Sequence, residues 1–281
     1  MVAKVPAAGV DLDGAITINE SSASVDFRVE SNGLTHALFV DASADRVGFI
    51  TTPDLGNVHI RIDDTGASSS NDADELVLEK NGAAGLSILS ANDSQGNIFF
   101  GDDGDNDIGR IIYNHNNNRM SFRTNATEAL AIDSTGAITK PLQPCFRVTS
   151  GTQNNIPVNA NQTAVFDSVV FDIGGDFASN TFTAPVTGKY FFTVSFRWNS
   201  VDSAGSYLQT VLVGSNRNTT LHTLDSLGVH LSGDGEYSHT GTVILDMDTG
   251  DTAYVRIRIQ GGTAQTDVND DGSYFSGYLI C

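Results

Sequence analysis

Two short acidic runs are the places where residue type and spacing come nearest to chemistry. Asp267-Val-Asn269-Asp270-Asp271-Gly272 sets carboxylate or amide oxygens at alternate positions ahead of a glycine. A turn of that pattern can offer several hard oxygens to a cation such as calcium, with Asp267, Asn269 and Asp271 as the candidate metal ligands. The twelfth position of the loop holds Tyr278 and not Glu, which excludes an EF-hand. Asp102-Asp-Gly-Asp105-Asn-Asp107 offers the same argument, but a polar turn is the plainer reading, because Asp beside Gly or Asn bonds its own backbone. No motif requires a cofactor, and calcium is the one cation these patterns suit.

Catalytic signatures are missing. The chain has no GxSxG, HExxH, P-loop or dinucleotide fingerprint, and its histidines, His36, His59, His115, His222, His230 and His239, are dispersed along it. Glycoside hydrolysis needs only two carboxylates at a set separation, yet most Asp residues here sit beside Gly, Asn or Ser, where turn chemistry accounts for them. The chain reads as a non-enzyme.

Fifteen Lys and Arg against thirty-four Asp and Glu give 281 residues a net charge of −19, and the acidity is shared by both halves. A field of that sign repels nucleic-acid phosphates and anionic lipid. No stretch approaches the length of an apolar membrane span, and Met1–Gly9 lacks the apolar segment of a secretory signal. The expectation is therefore a cytoplasmically made protein that binds no nucleic acid and enters no membrane. Twenty-eight Gly with abundant Asn, Ser, Thr and Asp disfavour helix, while fifteen Phe and seven Tyr argue against disorder. The fold class expected is all-β.

The elements fall into three parts. Residues 1–24 carry no clear strand and read as an attachment segment. Residues 25–140 read as a β-repeat shaft: Val25–Val29 and Ala37–Asp41 flank Asn32-Gly33, and Leu76–Lys80 and Leu86–Leu89 flank Asn81-Gly82, both as hairpins. Arg110–Tyr113, Arg119–Arg123 and Ala129–Asp133 follow the same pattern. These strands are short and poor in apolar residues, so the economical way to hide their apolar faces is against identical chains in a threefold interwoven fibre. At Lys140-Pro-Leu-Gln-Pro144 the texture changes, and longer apolar strands over 141–281 give a sandwich or jelly-roll signature.

The stretch Phe182-Thr-Ala-Pro185-Val-Thr-Gly188-Lys-Tyr190-Phe-Phe-Thr-Val194 resembles the most recognisable segment of the complement C1q-like globular domain, a jelly roll of the tumour necrosis factor superfamily. Cys145-Phe-Arg-Val148, Val165-Phe-Asp-Ser-Val169, Leu245-Asp-Met-Asp-Thr-Gly250-Asp251 and Ser273–Leu279 resemble its other signature segments, in order. The resemblance implies a jelly-roll knob that trimerises through aromatic residues; independently, a glycine inside a terminal strand, Gly277, fits a place where another backbone comes close. In that family calcium can sit near the trimer apex, the end at which Asp267–Asp271 would lie as a loop before the last strand. The same end would carry the loops Asn199–Ser206, Val229–Tyr237 and Gly261–Gly272, making Tyr207, His230, Tyr237 and Asp270 the candidate ligand contacts. Cys145 and Cys281 would lie on antiparallel neighbouring strands, where a disulfide would add about 2–4 kcal/mol, but a reducing cytoplasm favours separate free thiols.

Gly96–Asn125 and Leu130–Gly136 resemble shaft repeats of bacteriophage tail-fibre proteins. The resemblance implies a homotrimeric virion fibre that contacts other virion proteins through its N-terminus and a host-surface glycan or protein through its knob. The alternatives are a head-decorating or collar fibre with a structural role and a bacterial extracellular adhesin.

Overall fold

The computed structural model describes residues 24–231 and 233–281. The attachment segment expected at 1–24 lies, except for Ser24, outside the described residues. Two compact units emerge, the first ending at Leu89 and the second spanning Ser90–Cys281. Secondary structure is almost wholly strand, as composition requires, and no helix among the described residues is long and apolar enough to cross a membrane.

The first unit holds one sheet of β1 (Phe27–Val29), β2 (Leu38–Asp41), β3 (Arg46–Phe49), β4 (Val58–Arg61) and β5 (Leu76–Glu79), in chain order. The first three strands are antiparallel, and Asp41 shapes the β2–β3 turn by accepting from Ser43 N–H and Ala44 N–H. β3, β4 and β5 then stack in parallel. Gly56 permits that stacking, because a Cβ there would run into the Asp74 carbonyl and come within 2.7 Å of the Val77 side chain. His59 on β4 is fully buried, with Nδ1 3.1 Å from Asp54 and Nε2 3.0 Å from Glu79. The hairpin expected at Asn81-Gly82 does not form. Leu76–Glu79 pairs instead with the distant Val58–Arg61, and Leu86–Leu89 is exposed and unpaired among the described residues. A turn signal specifies a reversal but cannot outbid a nonlocal partner whose register aligns His59 with Val77 and Arg61 with Glu79.

The second unit opens with an antiparallel meander of β6 (Gln95–Phe100), β7 (Gly109–Asn114), β8 (Arg119–Thr124), β9 (Thr127–Ile132) and β10 (Ile138–Thr139). Its turns follow from polar side chains. Asp102 accepts from Gly104 and Asp105 N–H, Asp133 accepts from Thr135 and Ala137 N–H, and Asn125 and Ala126 take left-handed backbone between β8 and β9.

The jelly roll follows. Its strands are β11 (Cys145–Thr149), β12 (Asn161–Thr163), β13 (Ser168–Ile173), β14 (Phe177–Ala178), β15 (Thr181–Thr183), β16 (Gly188–Val201), β17 (Gly205–Gly214) and β18 (Asn218–Asp225). After a one-turn helix α1 (Leu227–His230) come β19 (Gly235–Met247), β20 (Thr252–Gly261) and β21 (Asp267–Leu279). One sheet runs β13-β11-β21-β16-β19, the other β14-β15-β20-β17-β18 with β12 beside β20. Alternation along β16 sends Tyr190, Phe192, Val194, Phe196 and Trp198 inward, all fully buried. They meet Val255, Ile257 and Ile259 of the facing sheet in one core. Phe146 stands at its centre, 4.9 Å from Phe182 in a stacked pair and 4.9 Å from Phe275 edge-on. Gly277 is a place of close approach, but to side chains and not to backbone: a Cβ there would lie 2.5 Å from the Phe192 ring and 2.9 Å from that of Phe146.

Candidate functional site

The three loops expected to cluster at one end of the jelly roll do meet, and two aspartates join them. Asp234 accepts from Ser203 N–H at 3.0 Å and from the Gln265 amide at 2.6 Å, so each of the three loops contributes one residue to a single node. Asp202, almost fully buried, accepts from Thr263 N–H at 2.6 Å, Thr263 Oγ1 at 2.9 Å and Ala204 N–H at 2.8 Å. The Thr263 N–H above all holds the Asp202 carboxyl below its usual range, and the Ser203 N–H does the same for Asp234. Both are ionised near neutrality, and their hydrogen bonds tie the three loops into one scaffold.

On that scaffold the candidate contacts separate. His230, at the end of α1, and Asp270 are exposed, whereas Tyr207 is half-buried on β17 between Gln260 and Asp225. Tyr237 is turned inward: its hydroxyl is 2.7 Å from His222 Nε2, and burial raises its phenol above the ordinary value. Alternation along β19 places Tyr237 on the face that packs against the core, so it is not part of the loop-end surface.

The acidic run 267–271 is not a loop before the last strand but the first part of β21, interrupted by an excursion at 270–273 opposite Phe196. Asp267 accepts from Asn155 N–H at 2.7 Å, Asn269 from Asp271 N–H at 3.0 Å, and Asp271 pairs with Arg197 at 2.8 Å. Arg197 also reaches Glu236, which chiefly raises its pKa. Among the described residues no three His, Cys, Asp or Glu side chains converge as a cation site. Within one chain Asp267, Asn269 and Asp271 each have a protein partner, so their oxygens are engaged without a cation. The Asp102 run is likewise engaged in its turn, with Asp107 paired to Arg110 at 2.7 Å.

A second surface lies on the outer face of the β13-β11-β21-β16-β19 sheet. Ile173, Cys145, Tyr278, Phe191 and Ile244 stand in one register row across all five strands. Ile173, Tyr278 and Ile244 are 38, 48 and 56% exposed, and Phe171, beside them, 44%. Phe171, Ile173, Phe191 and Tyr278 also line a groove of about 520 Å³ with Pro141 and Arg147. The opposite sheet is polar outside, with Arg258 bonded to Gln260 at 2.7 Å. Cys145 and Cys281 are both free thiols, Cys145 raised in pKa mainly by burial.

Residues 145–280 match the family model of the C1q domain. Solved structures similar to the chain include the globular domain of zebrafish complement 1qA protein, at 18% identity and TM-score 0.38, covering 50% of this chain and 98% of that one. Murine APRIL is similar at 12% identity and TM-score 0.36, covering 49% and 99%. No curated protein matches the chain. The C1q match makes the second half a binding or structural module.

Sequence reasoning missed Asp202 and Asp234, whose partners are known only once three loops are folded together. It also missed that His222 and His239, read as dispersed, stack with ring centroids 4.3 Å apart. The alternation Tyr237, His239, Gly241 was the available signal for His239.

Proposed function

We propose that the protein is a homotrimeric fibre subunit of a tailed-phage virion, whose C1q-type knob attaches to a host-surface glycan or protein. The observation that carries the trimer is the apolar row Ile173–Cys145–Tyr278–Phe191–Ile244, a continuous uncovered patch of the kind that marks an association surface. The meander adds to it: Ile98, Ile111, Phe122 and Leu130 share another register row, with Ile98 and Phe122 exposed. Three copies would cover both rows and the sheet edges between them. The loop end, braced by Asp202 and Asp234 and presenting His230 and Asp270, is the surface left for a ligand, and threefold multiplicity turns weak contacts into avidity. The phage assignment rests on the resemblance of Gly96–Asn125 to tail-fibre repeats.

The test is the mass of the full chain by light scattering. The expected value is three times the 29.7 kDa of one chain, unchanged by EDTA, and reduced to the monomer by Ile244→Glu. A monomeric wild type overturns the fibre reading, and a trimer that chelation dissolves overturns the metal-free account of the Asp267–Asp271 strand.

A further inference from the structure

At the β18–β19 edge the two sheets of the jelly roll face each other without a hydrogen-bonded ladder. Aromatic rings join them there. His222 of β18 stacks on His239 of β19 at 4.3 Å and 20°, and on Tyr237 at 5.5 Å and 29°. Trp198 of β16 lies nearly parallel to His239 at 6.4 Å, with its indole N–H donating to His239 Nδ1 at 3.4 Å.

That last contact fixes a protonation state. An indole N–H only donates, so Nδ1 must accept, and the neutral ring carries its proton on Nε2. Nε2 is buried with no hydrogen-bond partner. A second proton would have to displace the Trp198 N–H and would place a cation face to face with His222. Among the described residues no carboxylate pairs with His239 to offset that charge. The groups around His239 are Trp198 and Phe196 on β16, Tyr237 on its own strand and His222 on β18. Arg197, Glu236 and Asp271 are tied to one another on the outer face of the sheet.

We propose that the His222–Tyr237–His239–Trp198 ring cluster is an acid-sensitive clasp, which holds the two sheets together at neutral pH and releases the β18–β19 edge on protonation. The connection between these strands carries α1 and Asp234, so release loosens the braced loop end directly above.

The direction follows from burial. Burial first, then the neighbouring His222, hold His239 down to about 4, and burial also lowers His222. A histidine with a folded pKa below its unfolded value stabilises the fold fully above about pH 6.5, and the contribution is lost as pH falls from there towards about 4. One proton taken up on unfolding changes the folding equilibrium about tenfold per pH unit, so His239 supplies a loss on the order of 100-fold across that window.

Trp198 is the chain's only tryptophan, so urea unfolding of the full chain followed by its fluorescence reads the clasp itself. Wild type is expected to lose on the order of 100-fold in folding equilibrium constant between about pH 7 and about pH 4.5. His239→Phe, which keeps a stacked ring without a titrating nitrogen, is expected to lose most of that slope and keep only the smaller share that the lowered His222 supplies. Equal slopes in the two proteins, or a flat wild type, overturn the proposal. Should His239→Phe not fold, ring C–H titration of the wild-type histidines decides: two midpoints well below 6.5 support the clasp, and ordinary midpoints for all overturn it.

Discussion

The jelly roll and the strands before it both alternate apolar with polar residues and solve burial differently. In the jelly roll two sheets cover each other, and Phe146, Phe192, Trp198 and Phe275 lie wholly inside. In the described residues 27–139, the buried apolar side chains are Phe39, Pro53, Ile112 and Ala131, while Ile98, Phe99 and Phe100 are exposed on a single strand. A sheet is stable when an apolar face is covered. The knob therefore carries its own core, whereas the sheets of the first half are drawn by side-chain turns and ion pairs and leave apolar faces exposed.

The largest expected effect separates the two directly. Phe192→Ala removes a fully buried ring from the aromatic centre and is expected to cost about 3–5 kcal/mol in urea unfolding read at Trp198. Phe122→Ala, in the meander, is expected to leave that midpoint unchanged and instead to lower the mass of the assembly on dilution. A comparable loss at Trp198 from both substitutions would show that the meander and jelly roll share one core, and the comparison would fail.

Much of the knob was legible because its signals are local. Strand alternation and the turn residues of Phe182–Val194 place β15, β16 and the Pro185–Gly188 turn, whose geometry is fixed by Tyr190 Oη donating to the Val186 carbonyl at 2.7 Å. The misplaced loop at Asp267–Asp271 and the unformed Asn81-Gly82 hairpin share one cause, which is that a period of two has several meanings. Asp267, Asn269 and Asp271 alternate as calcium-loop oxygens do, and equally as one face of a strand does, so the sequence cannot separate them until Arg197 and Asn155 are known to be their partners. The Asn81-Gly82 turn failed for a related reason, since alternation marks Leu76–Glu79 as a strand without saying which neighbour it will join. His222 and His239 belong to different sheets, and only the packing of those sheets brings the rings together.

Glycines in the two regions differ in the same way at a smaller scale. A methyl group at Gly277 would enter the space of Phe192 and Phe146, two rings already fixed by their neighbours. Gly277→Ala is therefore expected to cost about 1–3 kcal/mol through overpacking. Gly85 in the first unit has nothing within 4 Å of the same added atom. Gly85→Ala is expected to be neutral or slightly stabilising, by about 0.5 kcal/mol, because the only change is a less flexible unfolded chain. Both are measured as shifts in thermal midpoint of the full chain. A cost at Gly85 equal to that at Gly277 would mean that Leu86–Leu89 is closely packed in the assembly.

The smallest effect tests what holds the meander before its apolar face is covered. Arg119 on β8 and Glu128 on β9 form a two-pronged pair, one contact being 2.6 Å. The hydrogen bond to Arg119 chiefly lowers the Glu128 carboxyl, and the same bond raises Arg119. A carboxyl lowered in the folded state stabilises it above its ordinary pKa, and the contribution is lost as pH falls through the folded value. The pair is partly solvated, so Glu128→Gln is expected to cost only about 0.5–1 kcal/mol near neutral pH and nothing in strong acid. Hydrogen exchange followed by mass spectrometry over 109–132 reads this locally, with faster exchange in the variant at neutral pH and equal exchange at the acid limit. A loss of several kcal/mol would assign the meander a cooperative core of its own; no change at any pH would leave its strands held by backbone pairing and the Asp102 and Asp133 turns.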